Sequence, residues 1–166
     1  MPSAGEWIEA LGLTRHPEGG WFRETYRAAE GVAREHLPAR FTGPRAFATS
    51  IYYLLEEGDL SALHRIRQDE AWYFHEGGPL EIQLISPDGK ADLLRLGRNP
   101  GAGESPQAVA PAGWLFGARV VRGGLYTLCG CSVSPGFDFE DFELPSRQEV
   151  LAAYPHLAEV VTKFTR

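Results

Sequence analysis

The stretch Gly58-Asp59-Leu60-Ser61-Ala62-Leu63-His64-Arg65-Ile66-Arg67-Gln68-Asp69-Glu70-Ala71-Trp72-Tyr73-Phe74-His75-Glu76-Gly77 decides the fold. Residues 63–67 and 70–75 read as two strands, joined by a tight turn. Side chains two apart on a strand share a face. His64 and Ile66 therefore share one face of the first strand, and Glu70, Trp72 and Phe74 one face of the second. Arg65, Arg67 and His75 fall on the opposite faces. An imidazole and a carboxyl are thus predicted to converge on the inside of a β-structure, within reach of each other.

Working outward, strands are predicted over 21–27, 47–55, 80–85, 91–96, 107–110, 114–120 and 125–133. The turns between them are Glu56-Glu57-Gly58-Asp59, Gly77-Gly78-Pro79 and Ser86-Pro87-Asp88-Gly89-Lys90, rich in the residues that tight turns require. Both ends are helical. Ser3 and Glu6 have the spacing of a capping box ahead of an apolar stripe, and Ser146 and Glu149 repeat it, with Pro155 separating that helix from residues 156–164. The turn His16-Pro17-Glu18-Gly19-Gly20 follows the first helix. Residues 28–45 show little periodicity and read as a packed connection or a flap. Short strands at regular spacing predict an all-β sandwich or closed barrel in one domain, 1–166, with short N-terminal and C-terminal helices.

The composition agrees. The chain has 166 residues, 43% of them hydrophobic, with 19 Gly and 12 Pro, which favours many short strands over a bundle. Its net charge of −6 and lack of a basic run argue against nucleic acid or an anionic membrane as partner. No apolar run is long enough to span a bilayer, and no leader pattern is present, so a cytoplasmic protein is expected. Cys129 and Cys131, two apart on a strand, read as buried free thiols.

The inward side chains are the candidate site. His64 and Glu70 are the acid–base candidates, and Trp72, Phe74, Trp114 and Phe116 are candidate aromatic walls. Arg23 or Glu24 must face inward from its strand, and an unpaired Arg23 would suit an anionic ligand. The acidic run at 138–143, interleaved with phenylalanines, is expected to seal one end with its rings while its carboxylates stay wet.

The spacing from Gly58 through His64, Ile66 and Glu70 to Gly77 resembles the first cupin motif, with Ile66 where that motif has a second histidine. Pro111-Ala112-Gly113 resembles the turn of the second motif, but Phe116 and Val120 stand at its histidine and asparagine positions. A closer resemblance runs along nearly the whole chain. It is carried by residues 16–27 (HPEGGWFRETYR), 49–55 (TSIYYLL), His64-Arg65, Asp69-Glu70-Ala71-Trp72, 84–89 (LISPDG) and 135–144 (PGFDFEDFEL). Together these resemble the Cupin_5 (DUF985) family. The resemblance implies a double-stranded β-helix (cupin jelly roll) and a homodimer. Members of that family are compared with sugar epimerases and seed-storage globulins on fold grounds, and aromatic walls with a few polar groups suit a small polar, carbohydrate-like ligand in the barrel. His64 would then take a proton alpha to a carbonyl, and Tyr52 or Tyr126 would return one. The alternatives are a metal-dependent cupin enzyme, of isomerase or dioxygenase type, and a non-catalytic dimer. Metal chemistry would need a third ligand beside His64 and Glu70, with Gln83 and Gln107 as candidates. With two ligand positions apolar, no tight metal and no cofactor are expected, and a weakly held divalent ion is the most the pair could take.

Overall fold

A computed structural model describes all residues, Met1–Arg166. Helix α1 (Ala4–Leu11) is followed by strands β1 (Thr14–Arg15), β2 (Trp21–Arg27), β3 (Gly31–Val32), β4 (Arg45–Ala46) and β5 (Thr49–Glu56). Next come β6 (Ser61–His64), β7 (Asp69–Gly77), β8 (Leu80–Ile85), β9 (Ala91–Leu96), β10 (Gln107–Ala110), β11 (Leu115–Val120) and β12 (Tyr126–Ser134). Helices α2 (Arg147–Ala153) and α3 (Ala158–Lys163) close the chain. Both predicted capping boxes form, at Ser3–Glu6 and Ser146–Glu149.

The strands make a six-stranded sheet, β1-β2-β5-β12-β7-β10, and a four-stranded sheet, β6-β11-β8-β9, with β3 and β4 paired separately. All pairs are antiparallel. This is the predicted all-β jelly roll with short terminal helices. Its main core is built from residues of both sheets, among them Tyr53, Leu55, Trp72, Ile82, Leu84, Phe116, Ala118 and Cys129. Two smaller clusters lie elsewhere. Leu13, Leu54, Tyr126 and Leu128 pack with α1, and Leu63, Ile85, Leu115, Val150, Val161 and Phe164 seat α2 and α3.

Register across the large sheet places the site. One row of partners runs Arg27, Thr49, Val133, Glu70, and the next runs Glu24, Ile51, Cys131, Trp72. A register shift between Glu24 and Tyr26 brings Arg27 into its row only three residues after Glu24.

Two local expectations need correction, and one open alternative is decided. The strand read as 63–67 is Ser61–His64; Arg65 instead makes an isolated bridge with Glu143, exchanging both backbone hydrogen bonds. The segment 28–45 is a packed connection, held by the fully buried Phe41 and the buried Arg45. The acidic run is not uniformly wet: Asp141 is buried, accepting from Arg45 Nε and Nη2 at 2.8 and 2.7 Å and from Gln68 Nε2 at 2.8 Å.

Candidate functional site

A cavity of about 280 Å³ opens between the sheets. Phe22, Ile51, Tyr53, Ile66, Trp72, Val133, Phe137, Phe139 and Phe142 wall it, and His16, Glu18, Glu24, Arg27, His64, Glu70, Cys131 and Asp138 supply its polar groups. His64 and Glu70 both line it, as the alternation predicts. They come from different sheets, however, and His64 does not pair with Glu70. Its Nε2 lies 3.0 Å from Glu18 Oε2, while Ser61 Oγ donates to Glu18 Oε1 at 2.9 Å.

The turn carrying Glu18 is pressed into the barrel by its two glycines. A Cβ on Gly19, at φ +117°, would sit 2.0 Å from the Leu60 carbonyl oxygen. On Gly20, at φ +74°, it would meet Leu55 Cδ2, the Leu54 carbonyl oxygen and Tyr53 Oη at 2.8 to 2.9 Å. Only glycine permits both the backbone conformation and the approach. Three hydrogen bonds lock the turn there. Tyr53 Oη donates to the Gly19 carbonyl at 2.6 Å, and Ala62 N and Arg166 Nη2 donate to the Glu18 carbonyl at 2.9 and 3.2 Å.

The hydrogen bonds fix where protons sit. His64 Nδ1 is 2.7 Å from the Ala62 carbonyl oxygen, which can only accept, so Nδ1 carries a proton. Nε2 and Glu18 Oε2 therefore share a second proton between them. The Phe116 ring lies against His64 at 4.1 Å and Phe142 at 5.5 Å, and they hold the imidazole in place.

Glu70, with no basic partner, has its pKa pushed up to about 8. Burial is the main cause and the nearby Glu18 charge adds to it, while the Cys131 thiol, donating a hydrogen bond, works the other way. The free, buried Cys131 is in turn held well above the usual thiol range, first by its own burial. Tyr53 is likewise raised by burial and by Glu18. Burial lowers the pKa of His16, more than Glu18 raises it, and His64 lowers it further.

Several candidate residues lie elsewhere. Tyr52 and Tyr126 face α1 on the outer side of the sheet. Tyr52 packs near His75, and Tyr126 donates to the Pro2 carbonyl and to Glu76. The tyrosine that reaches the cavity is Tyr53, one residue on. Arg23 is exposed, its guanidinium 5.9 Å from the Tyr52 ring; Glu24 is the inward member of that pair. Phe74 and Trp114 pack on the core without lining the cavity, and Phe116 backs His64 from behind. Gln83 is buried against the Leu84 and Asp92 carbonyls, and Gln107 is exposed on the edge strand β10. His75, as predicted, points away from the cavity.

These donors do not fit a divalent ion. Both His64 nitrogens are already engaged, Ile66 and Phe116 present carbon, and neither glutamine reaches the cavity. No cluster of three or more His, Cys, Asp or Glu side chains is arranged to hold a metal.

The family model described as Cupin superfamily (DUF985), Cupin_5, matches residues 5–145. The chain belongs to the Cupin_5 family. It is similar over its whole length to the crystal structure of protein SO0799 from Shewanella oneidensis, with 42% identity, 99% of that chain covered and a TM-score of 0.89. A hypothetical protein from Leishmania major is 32% identical, with 99% of each chain covered and a TM-score of 0.90. Oxalate decarboxylase of Bacillus subtilis shares the fold alone, at 16% identity and a TM-score of 0.55. This chain spans about a third of it, 36%. The Cupin_5 match takes in every cavity residue named above. Within it, His16 and Glu18 are the site residues that strand alternation does not reveal, because they sit on a turn. Their signal is the Gly-Gly that follows them: a turn needing two glycines is pressed against other backbone, and its polar residues then face inward.

No helix is long and apolar enough to cross a membrane.

Proposed function

We propose that this Cupin_5 protein binds a small, uncharged, hydroxyl-bearing molecule, carbohydrate-like, in the barrel cavity and performs acid–base chemistry of the epimerase or isomerase type on it. The observation that carries this reading is the 3.0 Å His64–Glu18 hydrogen bond inside an aromatic-walled cavity that also holds Glu70. Aromatic faces with a few fixed polar groups suit a sugar-like ring.

Charge favours an uncharged ligand. Glu18, Glu24 and Asp138 line the cavity, and Arg27 is its only permanent cation. That guanidinium is already spent on Glu24, at 2.9 and 2.8 Å, and on the Phe137 carbonyl at 3.1 Å. An anion would find no free positive partner.

The chemistry follows from two groups in different proton states. Glu70 is protonated at neutral pH and can give its proton to a carbonyl oxygen as the adjacent carbon loses one. The Glu18 carboxylate takes the carbon-bound proton, and the electron pair of that C–H bond becomes the carbon–carbon double bond of an enol. Return of the proton to the other face of the same carbon, as Glu70 takes back the enol proton, completes an epimerisation; its delivery to the former carbonyl carbon, as Glu70 takes the proton of the hydroxyl on the adjacent carbon, completes an isomerisation. Incubation with a panel of aldoses and ketoses in D2O tests this. Deuterium should enter the carbon next to the carbonyl with the wild type and not with Glu70→Gln. If no sugar shows exchange and none raises the melting temperature, the reading fails; ligand at 100 times Kd adds about 2.7 kcal/mol.

A further inference from the structure

His16 has a hydrogen-bonding function that the chain itself does not use. Its side chain is 8% exposed and lines the cavity. The Glu18 backbone N–H donates to its Nδ1 at 3.2 Å, closer than Glu18 Oε2, which lies 3.4 Å from the same nitrogen. A ring nitrogen that accepts a hydrogen bond carries no proton, so the neutral imidazole has its proton on Nε2. Nε2 makes no hydrogen bond within the chain. The imidazole as a whole is surrounded by rings, measured centre to centre: Phe22 edge-on at 4.6 Å, Tyr53 at 6.2 Å, Phe142 at 5.9 Å, and Phe139 stacked at 6.2 Å. His64 differs in having both nitrogens occupied.

We propose that His16 is a ligand-binding residue whose Nε2–H donates to a carbonyl or hydroxyl oxygen of the molecule in the cavity, and so selects for an oxygen acceptor at that point. This rests on the cavity being the binding site for a small uncharged molecule, and it adds the residue that reads one end of it. The tautomer is set by a main-chain amide, so it cannot rotate away. Burial and the neighbouring His64 keep the ring uncharged at neutral pH against the pull of Glu18. A neutral imidazole N–H in an apolar setting polarises a carbonyl without giving up its proton. It also penalises an analogue lacking that oxygen, because the N–H would be left unpaired.

The test uses the full chain labelled with 15N-histidine, at pH 7. Long-range 1H–15N correlations should show His16 protonated at Nε2 and bare at Nδ1. A proton on Nδ1, or on both nitrogens, overturns the proposal on the wild type alone. Dihydroxyacetone, D-fructose and D-xylose are then titrated in. The sugar that binds should shift the His16 Nε2–H resonance. His16→Phe should weaken its binding by about tenfold or more, and His16→Gln, which keeps an N–H donor, by less. Equal binding by wild type and His16→Phe would overturn the proposal and leave the site reading standing. No binding of any of the three to wild type, with the tautomer as stated, would sink the site reading and this proposal with it.

Discussion

His64 Nε2 and Glu18 Oε2 lie 3.0 Å apart, with both groups almost wholly removed from solvent. Ser61 on the other carboxyl oxygen and the Ala62 carbonyl on the other imidazole nitrogen leave the pair fully satisfied. A buried pair of this kind is tolerated because each member makes its full set of hydrogen bonds. It also means that Glu18 decides what His64 can do.

Glu18→Ala should therefore cost about 2–4 kcal/mol of stability, because it strands His64 and Ser61 without partners in the barrel. Glu18→Gln, which can still bond both, should cost less than half as much. Both variants should lose the deuterium exchange described above. Chemical denaturation and the exchange assay check this, and a Glu18→Ala protein as stable as wild type would show the pair to be energetically idle.

Glu70 makes stability depend on pH. Its folded pKa is about 8, and an unfolded glutamate titrates near ~4.3. Between these values the folded chain holds a proton that the unfolded chain has released, so stability falls as pH rises toward 8. His16, lowered on folding, works in the opposite direction below about pH 6.5, where the unfolded ring takes up a proton. From about pH 6.5 to 8 the Glu70 effect is the one left of the two. The melting temperature of wild type should drop over that window more than that of Glu70→Gln, and the variant should be the more stable protein at pH 8. Parallel curves for the two proteins would place Glu70 at an ordinary pKa.

The two-residue period of a strand and the spacing of Gly58, His64, Glu70 and Gly77 were enough to read the jelly roll and to send His64 and Glu70 inward. Tyr52 and Tyr126 show where that reading stops. Both strands are apolar on two faces, because α1 covers the outside of the sheet as the core fills the inside, and two-sided burial erases the alternation that tells faces apart. Glu24 and Arg27 are both inward only because of a register shift, which no local pattern announces. Glu18 and His16 belong to a turn, where period carries no information at all.

Metal content follows from the same occupancy of His64. Protein purified without chelator should hold well under one equivalent of Fe, Mn, Ni or Zn per chain by elemental analysis. About one equivalent, lost in His64→Ala, would show that Glu18 gives up its imidazole to a metal.

The rim of the cavity rests on a different buried pair. Phe137, Phe139 and Phe142 pack edge to face with one another, and Phe139 is 55% exposed, so their mutual contacts alone leave the segment partly in water. Asp141, in the same segment and 1% exposed, ties it to Arg45 and Gln68. Burial works to raise the pKa of Asp141, but the bonds from Arg45 and Gln68 outweigh it and hold the carboxyl below its usual range. That contribution is present above the unfolded aspartate value of ~3.9 and is lost as pH falls through the lower folded value. Asp141→Ala takes the two-pronged partner from the buried Arg45 guanidinium and leaves it the Pro44 carbonyl and Glu140 at 3.4 Å, which should cost about 3 kcal/mol. The double variant Arg45→Met/Asp141→Leu removes both charges and should cost much less than either single change. Because Phe137 and Phe142 line the cavity, Asp141→Ala should also expose the site, read as faster amide exchange at 137–142 than in the double variant. If the single and double variants are equally destabilised, the pair holds the rim through packing and its charges contribute nothing.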